Sequence, residues 1–159
     1  MSLFGLLKRS PPYYDSELGG LARSGRYWEG KVSLGDHTGV PVRIAGTRAA
    51  PDPVNLGLAR ELGQRFVDLM PALQNALFEH YEPYRDAVDA GEDGGHPDPV
   101  PRMASPDDVW NYVTPRFVTI EPLSSVPTVE IAYETAWDIE HTVAARFQNW
   151  ALFDLCGSV

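Results

Sequence analysis

One cysteine, Cys156, stands in 159 residues, so no intrachain disulfide can form and no multi-cysteine zinc site exists. Basic residues are scarce, 13 Lys and Arg against 22 Asp and Glu, which leaves a formal net charge of −9. Lys8-Arg9 is the only adjacent basic pair. A surface of that sign repels phosphate backbones and no basic patch offsets it, which argues against nucleic-acid binding. Long apolar runs are missing too. None approaches the ~18 residues of a membrane span. The apolar residues 3–7 are too short for a signal sequence, and Lys8-Arg9 follows them where a signal would place its charge first. Dinucleotide, Walker, zincin and nucleophile-elbow motifs are all absent. These absences point to a cytoplasmic protein of bacterial style, without membrane, nucleic-acid or cofactor partners.

What is present divides by period. The length suits a single domain, expected over residues 13–159 behind a flexible or docking N-terminal arm at residues 1–12. Trp28, Gly30, Val32 and Leu34 alternate with polar neighbours, residues 35–39 carry turn chemistry, and Val40, Val42 and Ile44 follow on one face. That is an antiparallel hairpin. Leu18 and Leu21, around Gly19-Gly20, suggest a short edge segment before it.

The period then lengthens. Asp52 is placed to cap a helix beginning at Pro53. Leu58, Leu62, Phe66, Leu69, Leu73, Leu77, Tyr81, Tyr84 and Val88 recur at intervals of three or four, one apolar stripe over about eight turns. Its aromatics, His80 and Tyr81 included, suit core packing better than a cofactor box. Pro71 and Pro83 each remove a helical hydrogen bond, so a kink or split is expected at Pro71 and residues 54–82 form the firm part. Residues 91–104, with His96 among acids, are a Gly/Pro loop. Ser105, Pro106, Asp107 and Asp108 start a short helix bearing Val109, Trp110 and Val113, which Pro115 ends. Strands follow at Val118 and Ile120, then a turn from Pro122 to Pro127, then strands at Val129, Ile131, Tyr133 and at Val143, Ala145, Phe147. A tight turn at Gln148-Asn149 leads to a last strand of Trp150, Leu152, Phe153 and Leu155. The fold class is α+β, an antiparallel sheet with a long kinked helix and a short helix packed on one face.

Between two of those strands, residues 137–141 read Trp-Asp-Ile-Glu-His, the densest group of chemically capable side chains in the chain. Such connections, held by a rigid scaffold, are where binding residues concentrate. Trp137, Asp138, Glu140 and His141 are therefore the candidate binding residues. The alternative is structural, with Trp137 plugging one end of the core and the polar groups satisfying turn amides. A helical turn would bring Asp138 beside His141 at i,i+3.

The Trp28-Glu29-Gly30 strand, the Val109-Trp110 helix and above all Trp-Asp-x-Glu-His after a strand resemble an uncharacterised family of bacterial domains of unknown function. Its motif reads Trp-Asp-x-Glu-His-Gly, where this chain has Thr142. The resemblance implies a soluble α+β domain with no established activity, and by analogy some small bacterial domains of this general kind are suspected immunity proteins or toxin partners. Two functions follow from the residues. One is a non-enzymatic interaction module whose acidic surface binds a protein partner of basic character. The other is a metal-assisted hydrolase with His141 and Asp138 or Glu140 as ligands and a second carboxylate as base. Zinc catalysis usually takes three protein ligands, and one histidine in the motif favours the first. Cys156 reads as a small buried apolar residue rather than a nucleophile paired with His141.

Overall fold

The computed structural model describes residues 10–92 and 99–157. Most of the expected N-terminal arm, and His96 in the Gly/Pro loop, lie outside the described residues. Eight strands form one sheet in the order of the chain: β1 (Tyr13–Asp15), β2 (Gly19–Ser24), β3 (Tyr27–Leu34), β4 (His37–Ala45), β5 (Val113–Leu123), β6 (Val126–Thr135), β7 (Thr142–Gln148) and β8 (Ala151–Gly157). One long helix, α1 (Pro53–Asp89), and a 3₁₀ helix (Pro106–Asn111) lie between β4 and β5.

The α+β class stands, with one correction to the expected antiparallel sheet. β4 and β5 run parallel, Val42, Arg43 and Ile44 opposite Val118, Thr119 and Ile120. Parallel neighbours need a long crossover, and the 37 residues of α1 supply it. All other neighbouring strands are antiparallel.

The expected cap is present: the Asp52 carboxylate accepts from the amides of Val54 and Asn55 at 2.9 and 3.0 Å, with Pro53 in the first turn. α1 is one helix assigned without a break through Pro71 and Pro83, and it reaches Asp89. Both prolines are exposed, while Leu62, Phe66, Leu69, Leu73, Leu77 and Tyr81 stay buried on either side of Pro71. Tertiary burial of that stripe holds the helix where the two missing hydrogen bonds would otherwise break it. The stripe opens on Leu56 and Ala59, not on the half-buried Leu58.

The short helix is a single six-residue 3₁₀ element with a capping box between Ser105 and Asp108. Val113 belongs to β5, and Pro115 lies inside that strand beside a bulge instead of ending a helix. The expected Pro122 to Pro127 turn is tighter than predicted, because the two prolines face each other across the ladder and only Ser124 and Ser125 turn, both at positive φ (50° and 67°). Asn149 and Trp150 do the same between β7 and β8 (50° and 60°), one residue later than expected.

Register sorts the sheet into two faces. Trp28, Val32, Val40, Val42, Ile44, Val118, Ile120, Val129, Ile131, Tyr133, Val143, Ala145 and Phe147 join the buried stripe of α1 in one core. A Cβ at Gly30 would stand 2.4 Å from Cδ2 of the fully buried Leu21, which would have to shift to admit it. On the other face, one row reads Glu29, Arg43, Thr119, Glu130, Arg146, Asp154 across successive strands. Arg146 donates to Glu130 at 2.7 Å and to Asp154 at 3.1 Å, and Arg43 donates to Thr119 at 3.3 Å. That face carries charges of both signs in pairs. At the far edge Asp15 accepts from the amides of Glu17 and Leu18 and from Arg60 of α1, which ties the first hairpin to the helix.

Candidate functional site

The 137–141 connection leaves β6 at Thr135 and enters β7 at Thr142. Its path is fixed from below by α1. Trp137 is fully buried, packed edge-on against Tyr81 with ring centroids 5.6 Å apart, and its indole Nε1 donates to Nδ1 of His80 at 3.0 Å. Accepting that bond requires an unprotonated Nδ1, so the geometry selects the neutral His80 tautomer that carries its proton on Nε2. Burial lowers the His80 pKa below 6.5, against the charge of Asp138, which pulls the other way.

One turn further along α1, Tyr84 donates its hydroxyl to Oδ2 of Asp138 at 2.9 Å. Oδ1 of the same carboxylate meets Nδ1 of His141 at 3.0 Å, and the Asp138 amide donates to Oγ1 of Thr135 at 3.2 Å. Both carboxylate oxygens are thus taken. Burial opposes the charge of Asp138, but the bonds from Tyr84 and His141 outweigh it and hold the carboxyl below its usual 3.8. Burial, reinforced by that carboxylate, pushes the Tyr84 hydroxyl up to about 12. Tyr81, beneath Trp137, donates to the carbonyl of Pro101 at 2.7 Å and accepts from the amide of Met103 at 3.2 Å, which fastens the chain entering the 3₁₀ helix to the same cluster.

Of the four candidate residues, the structure brings Asp138 and His141 into contact, at the i,i+3 spacing of the turn. Trp137 lies beneath them in the core, and Glu140 stands exposed outside the network, next to Ile139, which is 50% exposed. Among the described residues no three His, Cys, Asp or Glu side chains gather as metal ligands would. A metal centre would have only the Asp138 and His141 pair to start from. Cys156 is half-buried on β8 opposite Ala144, and burial raises its thiol pKa, the reverse of an activated nucleophile.

Reading the sequence missed His80 and Tyr84 as partners of the motif. Their spacing of four on α1 was the available signal, since it puts an imidazole and a phenol on one side of the helix. Nothing in the sequence said which strand connection that side would meet.

An α+β sheet wound in chain order around one crossover helix, with a Trp-His-Asp-Tyr cluster at its end whose Trp137 is buried and whose polar members are half-buried, describes the molecule as a class. A family model, domain of unknown function DUF6985, matches residues 17–157, and the chain belongs to that family. No curated protein and no solved structure matches it. Among the described residues no helix is long and apolar enough to cross a membrane.

Proposed function

We propose that the chain is a non-enzymatic protein-interaction module, a single cytoplasmic domain over residues 13–159. The observation that carries this reading is the occupancy of Asp138. Its two oxygens serve Tyr84 and His141, and Trp137 serves His80, so the chemically capable groups of the motif are spent on holding the loop. What the loop offers outward is Ile139, Glu140 and the outer side of His141, on a backbone held by the bonds to Asp138 and Trp137. The alternating-charge row and this loop are the surfaces offered to a partner. The net charge of −9 suits a basic partner, as the immunity-like analogy would have it.

The test pairs capture with stability. The double variant Ile139→Ser, Glu140→Lys should lose a partner that the wild type retains from extracts of the source organism, with its melting temperature unchanged. Association with that partner should slow as salt rises. The competing hydrolase reading predicts a zinc- or manganese-dependent rise in wild-type melting temperature that saturates with concentration and vanishes in His141→Ala. That rise would overturn the proposal.

A further inference from the structure

The sheet is open, and its two edges are built differently. β1 is three residues long, follows Pro11 and Pro12, and turns the Asp15 carboxylate in to Arg60 of α1. Short length, proline and an inward-pointing charge are devices that keep an edge from pairing with another chain. β8 is seven residues long and contains no proline, lysine or arginine. A bulge leaves Phe153 out of the β7 register and blunts the first part of the strand. The rest lacks that protection. Asp154, Leu155, Cys156 and Gly157 pair in unbroken register with Arg146, Ala145, Ala144 and Val143, and no strand among the described residues lies on their other side.

The apolar layer is also unfinished at this edge. Leu152 and Leu155 stand opposite Phe147 and Ala145, which are 1% and 0% exposed, yet they are themselves only half-buried, and so is Trp150 at the turn. Phe153 is 48% exposed. An extended segment laid beside β8 would meet a row of backbone groups along the open edge and cover the flanks of these side chains. Acids outnumber bases on both faces of that edge. On the outer face Glu130 and Asp154 share Arg146, and Asp154 keeps 41% of its side chain in solvent. On α1, which packs against β8, the exposed Glu61 and Asp68 lie about one turn to either side of Arg65, whose guanidinium stands 5.6 Å from the Trp150 ring centroid.

We propose that the edge of β8 at residues 154–157 receives a ninth strand from a partner protein, an extended segment in which apolar residues alternate with lysine or arginine. Successive side chains of a strand point to opposite faces, so the apolar ones lie beside Leu152 and Leu155 toward α1 and the basic ones beside Asp154. The backbone ladder holds the segment and the alternation selects it. A second copy of the chain fits poorly, because two chains of net charge −9 repel and β8 has no base to set against the other copy's acids. The proposal rests on the reading of the chain as an interaction module, and adds to the 137–141 loop a surface that takes an extended partner.

The probe is the peptide acetyl-Thr-Lys-Val-Lys-Val-Lys-Thr-amide, compared with a counterpart that has Glu for each Lys, and binding is followed by NMR with amide hydrogen exchange. Alternate amides of β8 face the open edge and should exchange quickly in the free protein. The basic peptide should slow them, give saturable shifts confined to β8 and the adjoining side of α1, and bind about 10-fold more tightly than the acidic one. Asp154→Lys, at a partly exposed position, should lower that ratio several-fold. The proposal fails if neither peptide gives saturable shifts, if the shifts fall elsewhere on the surface, or if the acidic peptide binds as tightly. Slow exchange of the edge amides in the free monomer would show that the chain covers its own edge, and slow exchange in a dimer would assign the edge to a second copy. Either result also overturns it. The metal titration described above tests the interaction reading alone, so the two can fail separately.

Discussion

Trp137 and Tyr133 stand four residues apart, both buried to within 1% exposure, and end differently. The indole N–H terminates on His80, while the phenol hydroxyl terminates on nothing among the described residues. One cluster is complete without a ligand. The other is complete except for one acceptor. Functional capability therefore does not lie where polar residues are densest in the sequence, because dense polar residues can satisfy one another.

The contrast is broken most sharply at the complete cluster. Trp137→Ala should cost about 3–5 kcal/mol in denaturant melts, since it empties a fully buried indole site and strands the His80 acceptor. A loss under about 1 kcal/mol would mean the ring is not the plug of this end. Asp138→Asn should cost about 1–3 kcal/mol, because the amide can keep only part of what the carboxylate accepts from Tyr84 and His141. Its effect should shrink in Tyr84→Phe if the two groups act as a pair.

Acidity probes the same cluster. The folded-state pKa of His80 is lowered below 6.5, so the unfolded chain binds the extra proton first. Stability from the neutral ring is complete above about pH 6.5 and is lost as pH falls toward the folded value. His80→Asn, whose side-chain oxygen can replace Nδ1 as acceptor, should flatten that part of the melting-temperature profile. Asp138 adds a second loss, of the same sign, only below its unperturbed 3.8. The smallest effect belongs to the incomplete cluster. Without ligand, Tyr133→Phe should leave stability within about 0.5 kcal/mol of wild type or raise it slightly, whereas a loss above about 1 kcal/mol would reveal a partner for the hydroxyl.

How much of this was legible follows the physics of each signal. Period-2 rows such as Val129, Ile131 and Tyr133 and the 3.6-period stripe from Leu62 to Tyr81 are properties of the backbone, and they located the strands and α1. The Asp138–His141 contact was legible because it is local. The last turn was misplaced by one residue and the Pro122 to Pro127 turn drawn too wide, because Ser124, Ser125 and Trp150 adopt positive φ without the Gly or Asn-Gly pair that usually announces it. A proline misled at Pro115, where a bulge in β5 absorbs it, and Pro71 did not split α1, whose buried stripe runs on past it. The parallel seam and the His80 and Tyr84 partners depend on how α1 returns the chain to the sheet, which no local pattern encodes.

That return has a kinetic side. Every pair of neighbouring strands is joined by a short connection except β4 and β5, which α1 separates and which bring Val42 to Val118. Two meanders, β1–β4 and β5–β8, are built from contacts of low order, and each can zip from its own turns, while the three-residue seam must wait for α1 to close the largest loop in the fold. The barrier should sit at that closure. Truncating Val42 or Val118 should then slow refolding, measured against the equilibrium loss each causes.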